Sequence, residues 1–142
     1  MARTLLAEIV TPERILYTNE AQFVAAKTTD GDVGILPLHA PLVATLDAGE
    51  VRVQIGPTSA DWEWFAVSGG YLQVHEDKVI ILADQAEIAS QIDPARARES
   101  ADKARTHVDE LRASGADETE LAAGEQDLRF FEVQMELAEK RK

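Results

Sequence analysis

Hydrophobic positions change period along this chain. Up to about residue 90 they come in short runs with a period near two, and beyond residue 93 they recur every three or four residues. The first pattern predicts strands and the second helices. Residues 5–10 and 13–17 flank Thr11-Pro12, a turn signal, and residues 21–28 alternate weakly around Phe23 and Val24. Residues 31–41, GDVGILPLHAP, read as a tight buried corner. Pro37 and Pro41 leave Leu38-His39-Ala40 room for no more than one helical turn, Ile35 and Leu36 are expected to point inward, and a new apolar strand follows over 42–46. Val51, Val53 and Ile55 alternate with Arg52 and Gln54, as in a half-buried antiparallel strand. Trp62, Trp64 and Ala66 share one face of the next strand, with Glu63, Phe65 and Val67 on the other. Gly69-Gly70 interrupts the pattern before Tyr71, Leu72 and Val74 run to a turn at Glu76-Asp77. The following KVIILA is too apolar for a strand with one wet face and is expected to be central. Nine or ten short strands at spacings of roughly 8–12 residues predict a sandwich or barrel.

After residue 92 the pattern is helical. Asp93 is a good N-cap, and Pro94 stands at the first helical position, where a missing N–H does no harm. Ala97, Ala101, Ala104, Val108 and Leu111 form one narrow apolar stripe, and Gly115 suits a left-handed C-cap. Asp117, with Glu120 three residues on, starts a second helix. That helix carries a seam of Leu121, Leu128, Phe131, Met135 and Ala138, and a second apolar face of Phe130, Val133 and Leu137. One face can pack on the partner helix and the other on the strands; the same surplus also suits two alternative docking modes. Lys140, Arg141 and Lys142 complement the negative end of the helix dipole. The expected fold class is therefore a β-sandwich of about ten strands followed by an antiparallel α-helical hairpin, α+β in two segregated parts. The boundaries fall at 1–90 for the sandwich and 91–142 for the hairpin.

Charge and composition narrow the function. The net charge of −12 argues against nucleic acid and against adsorption to anionic lipid. Residues 1–92 carry a net of −8 and residues 93–142 a net of −4, although the second segment is more than twice as densely charged. The chain has no cysteine, which removes disulfides and thiolate chemistry. No apolar run approaches the roughly 20 residues that span a bilayer, and the start lacks the marks of a signal or transit peptide. A cytoplasmic location is the default expectation.

No catalytic constellation is visible. Walker and dinucleotide glycine loops are absent. His39, His75 and His107 sit in three different predicted elements, which argues against a metal centre. Ser68-Gly69-Gly70 loosely mimics a nucleophile elbow, yet strand follows strand there and the stretch reads better as a bend. Asp30 and Asp32 read as a solvated turn. A lone histidine in an apolar corner, His39 is most often hydrogen-bonded to nearby backbone.

The linked set of Gly34-Ile35-Leu36-Pro37, His39, Pro41 and Leu42, with Val10-Thr11-Pro12, residues 65–74 and Ile92-Asp93-x-x-Arg96-Ala97, resembles the epsilon subunit of bacterial F-type ATP synthase. The likeness runs in order and spacing from about residue 5 to residue 105, and the hairpin matches by architecture more than by letters. It implies a non-catalytic rotor subunit of the central stalk, bound to the gamma subunit and the membrane c-ring, on the cytoplasmic face of the bacterial plasma membrane. It also implies that the hairpin can extend toward the alpha/beta hexamer and block ATP hydrolysis. By position, Asp30, Gly31 and Asp32 resemble the polar loop that meets the c-ring, while His39 and Leu42 fall where the family faces gamma. Leu38 departs from a frequent glycine, which implies a stiffer turn. No cofactor is required, but ATP is implied as a regulatory ligand, held by Glu87, Ile92, Asp93, Arg96 and Ala97. Arg129 and the terminal 140–142 cluster are the second-helix cations available to complete such a site. The competing class is a stand-alone β-sandwich binding module, for example for carbohydrate, with a helical dimerisation tail. Trp62 and Trp64 are its candidate binding rings, and an enzyme built on Ser68 comes third.

Overall fold

The computed structural model describes residues 3–140. Nine strands precede two helices: β1 (Leu5–Thr11), β2 (Arg14–Ala21), β3 (Phe23–Thr28), β4 (Gly31–Ile35), β5 (Leu42–Gln54), β6 (Trp62–Val67), β7 (Gly70–His75), β8 (Lys78–Ala83), β9 (Ala86–Ile88), α1 (Pro94–Ser114) and α2 (Glu118–Lys140). Arg141 and Lys142, and the side chain of Lys140, lie outside what is described.

The strands number nine, within the nine or ten expected, and residues 42–46 and 51–54 belong to one continuous strand. The N-terminal part of β5 pairs antiparallel with β7, Leu42 opposite Val74 and Leu46 opposite Gly70. Its C-terminal part pairs with β6, Gly49 opposite Val67 and Gln54 opposite Trp62. One layer thus runs β2-β1-β8-β7-β5, and β5 carries on into a second with β3, β4, β6 and β9. The alternation of each strand turns its apolar residues toward the other layer. Ile9, Leu72, Val79 and Ile81 from the first meet Val24, Val51, Val53 and Phe65 from the second in one core of fully buried side chains. Burial of a side chain of this size stabilises by roughly 1.5–3 kcal/mol, so the period-two pattern is itself the main source of the sandwich's stability.

Two sequence readings change. KVIILA is central in order, between β1 and β7, but Leu82 is exposed and Ile80 half-buried, so one face stays open. Ile35 points inward as expected, whereas Leu36 is 60% exposed. Pro37 and Leu38 turn the chain there, with His39 N–H donating to the Leu36 carbonyl at 3.1 Å. Leu38 has φ 70°, a conformation that costs a side chain with a Cβ about 1–2 kcal/mol. Asp77 holds it in place: its carboxylate accepts from Leu38 N–H at 2.6 Å and from Arg3 at 3.0 Å. Those two donors, the backbone one first, keep the Asp77 carboxyl below the usual carboxylate range.

The hairpin forms as its caps dictate. Asp93 accepts from Ala95 N–H at 3.0 Å, Asp117 accepts from Glu120 N–H at 2.9 Å, and Gly115 ends α1 at φ 72°. α2 then uses both its apolar faces. Phe130, Leu137 and Ala138 are buried against Ala66, Ala89 and Ile92, with Trp64 and Val133 packed alongside, while Val108 and Ala101 of α1 are buried under the partner helix.

Backbone conformation generates two predictions. A Cβ at Gly70, where φ is 137°, would stand 1.9 Å from the Leu82 carbonyl oxygen. Gly70→Ala should therefore lower unfolding free energy by more than about 3 kcal/mol in urea titration, because clash adds to strain. Leu38→Gly should raise it by about 0.5–1 kcal/mol, since the left-handed strain disappears and an exposed side chain is lost.

Candidate functional site

The sandwich–hairpin junction contains the two clefts of interest. One, of about 590 Å³, lies between β2, the β9–α1 connection and α2, and it gathers Glu87, Ile92, Asp93, Arg96 and Ala97 on one wall. These residues converge because β9 pairs with β6 at the sheet edge, Glu87 opposite Ala66, and the chain then turns directly into α1. Ile92 and Ala97 are buried and form the apolar part of the wall. Asp93 spends one carboxylate oxygen on the α1 cap, as a structural reading of the motif requires. Glu87 accepts from the buried Gln134 amide of α2 at 2.8 Å. Burial pushes the Glu87 carboxyl above its ordinary 4.5, and the Arg96 charge partly offsets that push.

Arg129 is not part of this group. It faces the second cleft, of about 600 Å³, beside Lys27, Asp32 and Trp64, and its guanidinium pairs with Asp47 at 3.2 Å. α2 instead brings Phe130, Phe131 and Gln134 to the motif residues, and β2 brings Arg14. Sequence reading passed over these four. A signal for Gln134 was present, because it interrupts the apolar face formed by Phe130, Val133 and Leu137. Nothing local marked Arg14. Besides Gln134 and Arg129, α2 is tied down by Gln126, whose amide donates to the Ser68 carbonyl.

The other candidates are placed as follows. Asp30 lies in the exposed β3–β4 turn and Gly31 and Asp32, also exposed, open β4; Thr28 Oγ1 closes the turn by donating to the Gly31 carbonyl at 2.6 Å. His39 is half-exposed at the corner with its ring Nδ1 donating to the Ala40 carbonyl at 2.7 Å. Leu42 packs on the core, and its neighbour Val43 is 71% exposed. Val43 belongs to the open face of the first layer, where register aligns Ile15, Val10, Leu82 and Tyr71 in a row across four strands. Ile15, Tyr71 and Leu82 are all exposed. An apolar row of this kind on a water-facing sheet marks a surface for a partner.

Ser68 is buried, and its Oγ accepts from Gln85 N–H at 2.9 Å, so the hydroxyl closes a bend. Trp62 and Trp64 do lie on an outer sheet face, but they are not an open stacking platform. The Arg52 guanidinium sits 5.4 Å and 5.9 Å from their ring centres, Phe23 meets Trp62 edge-on, and Trp64 packs against the hairpin cluster. Among the described residues no acidic or histidine cluster could hold a metal ion, and no helix is long and apolar enough to cross a membrane.

Comparison with known proteins agrees with this architecture. Residues 4–89 match the family model of the ATP synthase delta/epsilon chain, beta-sandwich domain. The ATP synthase epsilon chain of Desulforamulus reducens is 44% identical over 108 residues, 76% of this chain and 80% of that one. That of Dehalococcoides mccartyi strain BAV1 is 40% identical over 140 residues, covering 97% of this chain and 94% of its own. In fold, a chain of the Euglena gracilis mitochondrial ATP synthase assembly containing OSCP, F1 and c-ring aligns with a TM-score of 0.69. It is 20% identical and covers 92% of this chain and 78% of its own.

Glu87 yields a pH prediction. Its folded pKa lies above the unfolded one, so the native state binds more protons within that window, and its contribution is full below the unfolded value and is lost as pH rises through the folded value. Glu87→Gln keeps an acceptor for Gln134 without the charge. The variant should match the parent in urea unfolding below pH 4.5 and be the more stable of the two near neutrality. Parallel stability curves across that range would overturn the assignment.

Proposed function

The chain belongs to the ATP synthase delta/epsilon chain family, and from that premise we propose that it is the epsilon subunit of the central stalk of a bacterial F-type ATP synthase. Such a chain is a structural and regulatory subunit and not itself the catalyst. Its partners are the gamma subunit and the c-ring, at the cytoplasmic side of the membrane. The observation that carries this reading beyond family membership is the exposed apolar row of the first layer, continued by Val43 and by Leu36 and Leu38 at the corner. We assign this surface, with His39 beside it, to gamma. The polar turn at Asp30, Gly31 and Asp32, at the β3–β4 tip, is assigned to the c-ring.

The finer reading concerns regulation. Here α2 is docked on the sandwich through one apolar cluster and the polar contacts of Gln126, Arg129 and Gln134. Release of these contacts would free the hairpin to reach the alpha/beta hexamer and inhibit hydrolysis. A nucleotide in the cleft beside Glu87 and Arg96 would touch both the sandwich and α2, and would therefore favour the docked state. The stand-alone carbohydrate module loses its main support with the occupied indole faces.

Two measurements test the assignment. Val43→Glu with Tyr71→Glu, exposed on the proposed gamma face, should abolish pull-down of gamma while leaving the melting temperature within a few degrees of the parent. Retained binding would dismiss the face. Removal of residues 94–142 should raise ATP hydrolysis by the assembled complex; unchanged hydrolysis would sink the inhibitory role.

A further inference from the structure

We infer that Arg14 supplies the second guanidinium of the nucleotide cleft, gripping phosphate opposite Arg96. The inference rests on the reading of that cleft as a nucleotide site. Arg14 opens β2 and Arg96 lies in the first turn of α1, yet both line the same cleft. Among the described residues, these are the arginines with neither an ion-pair partner nor an aromatic ring beneath them. Arg3, Arg98, Arg105, Arg112 and Arg129 are paired, and Arg52 lies over the two indoles. In a chain with 26 acidic and 14 basic side chains, both of these guanidinium groups line one cleft.

The surroundings favour an anion with an aromatic end. Among the described residues α2 offers the cleft Phe130 and Phe131 but no cation, because Arg129 is turned away to Asp47. Four acids also line the space. Asp93 is committed to the helix cap and Glu87 to Gln134, while Glu13 and Asp84 are exposed. Neither arginine makes a direct ion pair among the described residues, although the Arg96 charge is felt by Glu87, and a guanidinium fork suits phosphate in two-point contact. Arg14 puts a cation on the sandwich wall of the cleft. Because β2 is an edge strand with Arg14 exposed, its side chain is not needed for the fold.

Isothermal titration of the full chain with ATP and with AMP, for the parent, Arg14→Ala and Arg14→Lys, decides the matter. Arg14→Ala should weaken ATP at least tenfold and AMP much less, with Arg14→Lys in between because it keeps charge without the fork. Thermal melts of both variants should overlay the parent. Unchanged ATP affinity in Arg14→Ala overturns the role of Arg14 and leaves the nucleotide reading standing. An equal loss for ATP and AMP marks a structural effect and also overturns it. No heat from the parent with millimolar ATP removes the nucleotide reading itself, and this inference with it.

Discussion

Strand β5 is hydrogen-bonded to β7 over its first five residues and to β6 over its last six, with β3 alongside. That one uninterrupted backbone ties the two layers of the sandwich covalently and fixes their register together. A sheet slip of one residue would turn Leu42, Ala44 and Leu46 to solvent and Val43 and Thr45 into the core. Everything else is positioned from β5. Its β6 edge places β9, β9 delivers Glu87 and then α1, and its outer face receives α2.

The two open surfaces of the sandwich have different chemistry for this reason. The face shared by β2, β1, β8, β7 and the start of β5 has no covering element among the described residues, and it keeps an apolar row exposed. Isolated, that is unfavourable; it makes sense for a subunit that is buried against a partner. The opposite layer is covered by α2, where an apolar cluster is interrupted by glutamines and an arginine that bond to loop backbone or to carboxylates. Polar contacts at such a junction add little net stability, because water competes for the same groups once the helix leaves. They fix where the helix sits without making its release prohibitive.

The site chemistry follows the same logic. Glu87 and Gln134 come from the two docked parts, so the wall of the cleft exists only while they are together. Any ligand that contacts both parts is thereby linked to docking by mass action. The one serine at a glycine-rich bend gives its oxygen to a backbone N–H, so its role there is to close the bend.

Much of this was written in the sequence. Period-two alternation, proline and glycine punctuation, and the Asp93, Gly115 and Asp117 caps act over a few residues, so they set strands, hairpin and boundaries locally. The motif around Ile92 to Ala97 was legible because it is contiguous. Other features were decided in three dimensions. Two apolar segments fused into β5 because β3 pairs with both of them, Ala26 opposite Val51 and Thr28 opposite Leu46, across an irregular step in register. Leu36 turned outward because Pro37-Leu38 reversed the chain and Asp77, 39 residues away, captured the Leu38 N–H. Arg129 left the motif cleft because helix periodicity put it on the flank that faces Asp47, while the same helix turned Phe130 and Gln134 toward the motif. Arg14 joined from a strand nearly eighty residues earlier than Asp93. Such pairings depend on register and helix rotation, and those are settled by whole-layer burial, not by any local run of residues.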